Sequence, residues 1–317
     1  MSKNKELISI IVPCYNEEES LPIFYKEINK LSKEMNQVDF EFIFVNDGSK
    51  DKTIDILRDY SKKDKRVRYI SFSRNFGKEA GMYAGLTNAQ GDYVAIMDAD
   101  MQDPPEMLKE MYNTVTKENY DCAALYTKSH KGYNFIRKGL TNIWYKLIDK
   151  ISDSKQVPGA RDFRLMTRQM VDAIISMKEY NRYTKGMFGF VGFETKWIEY
   201  EAPDRAAGTS KFSLFKLIKY AFEGIVAFST SPLIISAYIG LLFCFIAFLA
   251  IIVIIVKTLV WGDPVGGWPS LSCLIVFIGG LQLFFFGIMG VYLSKIYLEV
   301  KNRPIFITKE KNKWKRV

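Results

Sequence analysis

The stretch Asp92 to Asp103 reads DYVAIMDADMQD. Tyr93 to Met97 is a short, nearly continuous apolar run of the kind found in strands buried on both faces, and it stops abruptly at Asp98 and Asp100. With Gln102 and Asp103 these side chains make a set of hard oxygen donors at a strand's C-terminal end, the edge where open α/β sheets bind ligands. Such donors suit Mg²⁺ or Mn²⁺, held by one or two carboxylates together with substrate phosphates. The chemistry expected here is a metal and diphosphate site. The competing explanation is a solvated acidic turn capping a helix that Pro104 and Pro105 start.

Two more polar clusters follow apolar runs: Pro13, Cys14, Tyr15, Asn16 and Glu17 after the first, and Asn46, Asp47, Gly48 and Ser49 after the second. Alone, Asn46 to Ser49 reads as turn chemistry. Three strands delivering polar side chains to one rim are harder to attribute to turns. A carboxylate such as Asp47 can accept hydrogen bonds from a base or from ribose hydroxyls while a metal neutralises a diphosphate.

The elements that must position these residues alternate. Strand-like runs at Leu7–Val12, Phe40–Val45, Val67–Phe72 and Tyr93–Met97 are followed by helical runs at Ser20–Lys33, Asp51–Ser61, Lys78–Asn88 and Pro105–Thr116. That βα alternation with short links predicts a mostly parallel sheet with helices on both faces. Cys122–Tyr126 adds a strand, and Lys196–Tyr200 a later one, read as antiparallel. Asp51 is placed to cap the second helix. Asn134–Ile151 is amphipathic with a period near 3.6 and fits either the soluble core or the bilayer surface. Phe212–Phe228 is the stronger interfacial helix.

A mean hydropathy of −0.04 over 317 residues suggests an ordinary soluble protein, but it averages over two uncharged apolar runs. Leu233–Val256 and Ser270–Ser294 are each long enough to cross a hydrocarbon core of about 30 Å. The N-terminal MSKNKELISIIVP has too short an apolar region for a signal peptide. The net charge of +9 concentrates in Arg205–Lys219 and Lys295–Val317, on the outer flanks of the two runs. That location argues against a nucleic-acid binder and, by the positive-inside rule, predicts both termini in the cytoplasm. Attraction of the flanks to anionic lipids is expected as well. Four cysteines without CxxC spacing and a single histidine, His130, point to neither a zinc site nor a disulfide framework. The spans carry no charge, so anchoring is their expected task, and Gly279, Gly280, Gly287 and Gly290 permit close helix approach.

PCYNEEESL, FVNDGSKDKT, RNFGKEAGMYAGL, YVAIMDADMQDPPE, GARDFRLM and APDRAAGTSKF, followed by two spans, together resemble a family 2 glycosyltransferase of the polyprenyl-phosphate branch over essentially the whole chain. The resemblance implies a GT-A domain over 1–204, a basic juxtamembrane segment over 205–231, two transmembrane helices within 232–294 (about 232–257 and 270–294) and a basic cytoplasmic tail over 295–317. It implies nucleotide-sugar contacts from Pro13, Tyr15, Glu17, Asp47, Lys78 and Asp98, and a Mg²⁺ or Mn²⁺ ion at Asp98, Asp100 and Gln102. Catalytic roles fall to Asp100, Asp162 and Arg164, with Arg164 facing phosphate groups, and Arg205, Ser210 and Lys211 are implied to hold the lipid phosphate. His130 is most simply a solvated loop residue.

The implied reaction is inverting transfer of one sugar, UDP-glucose being the leading donor, to undecaprenyl phosphate at the cytoplasmic face of a bacterial plasma membrane by a homo-oligomer. UDP-GlcNAc and GDP-mannose are the rival donors. A phosphate monoester with a second pKa near 6 is already largely ionised at pH 7, so Asp162 is expected to position charge rather than act as an obligatory base. A processive synthase is disfavoured by the missing QxxRW-type segment. A dinucleotide oxidoreductase is disfavoured because no G-x-G-x-x-G follows the first strand. A catalytically idle nucleotide-sugar-binding protein is the remaining alternative, opposed by the intact Asp98, Asp100 and Gln102.

Overall fold

A computed structural model of the chain describes residues 5–127, 157, 159–200 and 267–312, with isolated helical positions between 233 and 260. The chain divides into two compact units, Met1–Leu217 with Arg303–Val317, and Ile218–Asn302. His130, Arg205, Ser210, Lys211 and the amphipathic runs at 134–151 and 212–228 lie outside the described residues.

The first unit is built on β1 (Leu7–Cys14), β2 (Asp39–Asn46), β3 (Val67–Phe72), β4 (Tyr93–Ile96), β5 (Cys122–Tyr126), β6 (Ala160–Thr167), β7 (Thr195–Glu199) and β8 (Thr308–Lys311). They form one sheet in the order β7-β5-β6-β4-β1-β2-β3-β8. β1 pairs in parallel with β2 and β4, and β2 with β3, while β6 runs antiparallel to both β4 and β5. The central strands are mostly apolar because helices cover both faces, and the charged pair they do bury, Arg68 and Glu41, meets at 2.8 Å. On one face α1 (Ser20–Glu34), α2 (Thr53–Lys63) and α4 (Met107–Lys117) bury Phe24, Ile28, Leu57, Leu108 and Met111 against Ile8, Ile10, Phe42 and Phe44. On the other, α3 (Lys78–Asn88) and α5 (Arg168–Ser176) bury Met82, Leu86, Met170 and Ile174 against Ile11, Val94 and Ile96. A Cβ on Gly85 would lie 2.1 Å from the Ile11 side chain, so glycine is what lets α3 seat on β1.

The alternation predicted from the sequence is present, and three features depart from it. β7 pairs with β5 in parallel, not antiparallel, because the chain crosses over between them through β6, α5 and α6 (Thr184–Phe190). GARDFRLM, read only as a cluster of site residues, is the start of β6. The segment expected as a basic tail supplies β8, which pairs antiparallel with β3. Arg58 grips Glu310 through Nε and Nη2 at 2.9 and 2.6 Å, Asn312 Oδ1 accepts the Tyr69 N–H at 2.9 Å, and Phe306 stacks on Phe72 at 4.8 Å. The open edge of β3 is thereby covered, which protects it from pairing with another chain.

In the second unit α7 (Trp268–Val300) is a single helix of 33 residues. Phe277–Val300 is long and apolar enough to cross a membrane by length and composition. It runs past Ser294, the end expected for the second span. The described positions of the first apolar run are helical.

Candidate active site

The C-terminal ends of β1, β2 and β4 open onto one rim. After β1, Asn16 turns the chain with φ +56°, and its neighbours zip onto the β2–α2 loop. Lys50 N–H donates to Asn16 Oδ1 (2.9 Å), Asn16 N–H to Ser49 Oγ (2.9 Å), Glu17 N–H to Thr53 Oγ1 (2.9 Å) and Glu18 N–H to Asp51 Oδ2 (3.1 Å). Asp51 also accepts the Thr53 N–H at 3.1 Å, close to the capping role expected of it. Tyr15 stays 45% exposed, a platform free for an aromatic base. Asn46 splits its amide between the Ser49 N–H and the Ser71 hydroxyl, so in NDGS the asparagine builds the turn.

Asp47 is buried, and its two oxygens accept the Phe76 and Gly77 N–H groups at 2.6 and 2.9 Å. It fastens the β3–α3 loop to the rim. Gly48, at φ +65°, sits where a Cβ would meet the Arg74 backbone at 2.4 Å, so this clasp requires glycine. Glu17 stands beside the β4 rim: burial pushes its carboxyl up, and the charges of Asp100 and Asp98 push the same way.

Lys78, at the first turn of α3, joins the two halves of the site. Its Nζ lies 2.7 Å from Asp98 Oδ1 and 2.6 Å from Asp162 Oδ2. Lys185, from α6, approaches the other Asp162 oxygen at 3.7 Å. Burial works against the Asp162 charge, but Lys185, Lys78 and Arg164 outweigh it and hold the carboxyl at about 2. Asp98 goes the other way. Burial raises it, with Asp162 and Asp100 adding to the rise and Lys78 opposing it. The Lys78 ammonium is held firmly protonated, its burial outweighed by Asp162 and Asp98.

Asp100 is exposed on the rim, and one of its oxygens accepts the Gln102 N–H at 3.2 Å across a turn in which Met101 takes φ +56°. Asp103, grouped with the oxygen donors from sequence, faces inward: it accepts from Arg161 Nε at 2.8 Å and from the Tyr200 hydroxyl. Arg161 Nη2 also donates to Gln102 Oε1 at 3.2 Å. Gln102 therefore has its carbonyl committed within the protein, and Arg161 locks the acidic loop in shape.

Arg164, expected to face phosphate groups, is buried. It is 2% exposed, gives Nη2 to the Arg161 carbonyl at 3.0 Å, and stacks its guanidinium over Phe188 at 3.5 Å. It shares the sheet face of Asp162, two residues earlier, but lies a row deeper in the apolar layer. Its charge adds to those of Lys185 and Lys78 in holding the Asp162 carboxyl low. Lys185 and Arg161 were not singled out from sequence. Lys185 lies in a stretch without a motif, whereas Arg161 stands inside GARDFRLM next to a residue that was.

Among the described residues no three carboxylate, imidazole or thiol side chains converge closely enough to hold a metal alone. An exposed Asp100 beside Asp98 nonetheless fits Mg²⁺ or Mn²⁺ of the kind completed by diphosphate oxygens, which needs only one or two carboxylates. The rim thus brings the acidic Asp98 and Asp100 together with the cations of Lys78 and, through Asp162, Lys185.

The glycosyl transferase family 2 model matches residues 9–175, which span β1 through most of α5. The chain belongs to that family and is a glycosyltransferase; its mostly parallel mixed sheet is the GT-A architecture. It is 42% identical over 310 residues to the SfII prophage-derived bactoprenol glucosyl transferase of Shigella flexneri, covering 96% of this chain and 98% of that one. It is 40% identical to the prophage bactoprenol glucosyl transferase homolog of Escherichia coli K12, covering 96% and 99%. A solved mannosyltransferase, PcManGT from Pyrobaculum calidifontis in complex with GDP-Man and Mn²⁺, aligns with 14% identity and a TM-score of 0.43 over 95% of this chain and 88% of that one.

Proposed function

We propose that the chain transfers a single glucose from UDP-glucose to undecaprenyl phosphate, with inversion, at the cytoplasmic face of a bacterial plasma membrane. The observation that carries this reading is the similarity to bactoprenol glucosyl transferases along nearly the whole length, apolar C-terminal part included. The lipid phosphate oxygen attacks C1 of the sugar; the bond from C1 to the diphosphate oxygen breaks, and UDP departs with that electron pair. A phosphate monoester is mostly ionised at neutral pH, so its attack needs no strong base. Asp162, held at about 2, is far from the pKa that suits a general base near pH 7. Its negative charge instead anchors Lys78 and Lys185 beside the reacting anions.

A divalent ion, when bound, neutralises the departing diphosphate. Asp100, with Asp98, would hold it, and Gln102 would take part once released from Arg161. Tyr15, Pro13 and Glu17 border the nucleotide, and Asp47 shapes that border by fixing the loop that carries Lys78. Arg205, Ser210 and Lys211 remain the proposed lipid-phosphate contacts.

For the membrane part we keep two spans with a short outer loop. Residues 303–317 belong to the same compact unit as the chain before 217. A segment flanked on both sides by one folded unit crosses a bilayer an even number of times. With Phe277–Val300 as one crossing, the length and lack of charge of Leu233–Val256 support it as the second. Homo-oligomerisation through these helices is part of the reading; Gly279, Gly280, Gly287 and Gly290 have open space beside them for a close neighbour.

The test is mass spectrometry of lipid extracted after incubating purified protein in detergent with Mg²⁺, undecaprenyl phosphate and, separately, UDP-glucose, UDP-GlcNAc or GDP-mannose. The expected product is undecaprenyl phosphate plus one hexose, formed from UDP-glucose and lost in Asp100→Asn. Transfer from another donor alone would replace the sugar assignment, and no modified lipid from folded, UDP-binding protein would sink the acceptor.

A further inference from the structure

Beside the rim lies a cavity of about 400 Å³ lined by Arg74–Gly77, Glu79 and Ala80 of the β3–α3 segment, by Tyr180, Asn181 and Arg182, and by Ile305. Asp47 grips Phe76 and Gly77, so the cavity and the nucleotide rim share one strip of backbone. Two guanidinium groups border it. Arg74 is exposed and stacks over Phe76 at 4.0 Å, with Nη1 donating to the Asn75 carbonyl.

Arg182 is only 9% exposed. Its Nη1 donates to the Met177 carbonyl at 2.6 Å, its Nη2 reaches the Ile174 carbonyl at 3.5 Å, and its guanidinium covers the Tyr83 ring at 4.1 Å. Its Nε has no hydrogen-bond partner. A buried donor on a cation is costly to leave unsatisfied. The carboxylate that also lines the cavity, Glu79, accepts the N–H and the hydroxyl of Thr184 at Oε2, and its charge, like that of Glu179, acts on Arg182 without a hydrogen bond to Nε.

We infer that this cavity is a binding site for a phosphoryl anion, held between Arg74 and Arg182 next to the loop that carries Lys78. A phosphate group supplies acceptor oxygens for an orphaned Nε–H and for an exposed guanidinium at once. The amides of Asn75 and Asn181 border the same space. The inference uses none of the lipid-phosphate contacts proposed above, and it stands whatever the sugar.

The experiment titrates the full-length protein in detergent micelles, with UDP and Mg²⁺ saturating the nucleotide rim, using inorganic phosphate in one arm and farnesyl phosphate in the other. Binding is followed by ³¹P NMR and calorimetry. Saturable binding is expected, weakened at least tenfold in both Arg74→Met and Arg182→Met, with UDP affinity unchanged in Arg74→Met. Farnesyl phosphate binding tenfold tighter than phosphate would identify a lipid headgroup as the occupant; equal affinities would identify a soluble phosphoryl compound. No saturable binding in the unmodified protein, or binding that Arg74→Met leaves intact, overturns the inference. Because Arg182 is buried, circular dichroism accompanies its variant, and the exposed Arg74 decides the matter if Arg182→Met does not fold.

Discussion

Lys78 touches both Asp98 and Asp162, so its removal leaves two partly buried carboxylates facing each other without a cation. Lys78→Ala should lower kcat/KM by about 100-fold or more, the scale of losing one preorganised charge contact, with Lys78→Arg recovering part of it. Asp162 stays ionised across the working range, because its carboxyl is held at about 2. The acid limb of kcat/KM should therefore follow the acceptor phosphate, with a midpoint near 6 and a tenfold loss per pH unit below it. Replacing the acceptor by its phosphonate analogue, a weaker acid, should move that limb upward; a limb that stays in place would return the proton-accepting role to the protein. Asp98 and Asp100 could be found from sequence because an apolar strand ending in carboxylates marks a sheet rim. Arg164 could not be placed in the same way. Alternation puts it on the face of Asp162, but only the packed position of Phe188 reveals that this row lies inside the apolar layer.

α3 comes close enough to β1 at Gly85 that a Cβ there would overlap Ile11. Gly85→Ala should destabilise the domain by about 1–3 kcal/mol, read as a lowered unfolding temperature, and Ile11→Val in the same chain should recover part of the loss. At the other edge, the Arg58–Glu310 pair is partly solvated, with side chains 42% and 30% exposed, so screening limits it to less than about 1 kcal/mol. The stacked Phe306 and the strand ladder contribute more to holding β8. Amide hydrogen exchange in β3 and β8 should accelerate more in Phe306→Ala than in Glu310→Ala. The first four βα units were readable because each couples a short apolar run to an amphipathic helix. β8 was not: its residues, Thr308–Lys311, are polar and charged, as suits an edge strand, and without hydrophobic alternation they resemble a basic tail.

At the scale of the whole chain, the proposed two-crossing topology makes a direct prediction. Single cysteines placed at exposed Glu19 and at Lys309, in a background lacking the native four, should both be shielded from a membrane-impermeant maleimide in intact cells and both label after lysis. Labelling of one but not the other in intact cells would refute an even number of crossings. The sheet order has another consequence, in the timing of synthesis. The strand that closes the β3 edge emerges about 110 residues after β7, beyond the entire apolar part of the chain. At roughly 5–20 residues per second the ribosome leaves that edge bare for several seconds or more. During that interval the nascent domain is one strand short, and in the proposed two-span reading the apolar segment meets the bilayer before the final strand is made. A chain that stops short of its last residues would therefore present an unpaired β3 edge, the kind of surface that pairs with other chains.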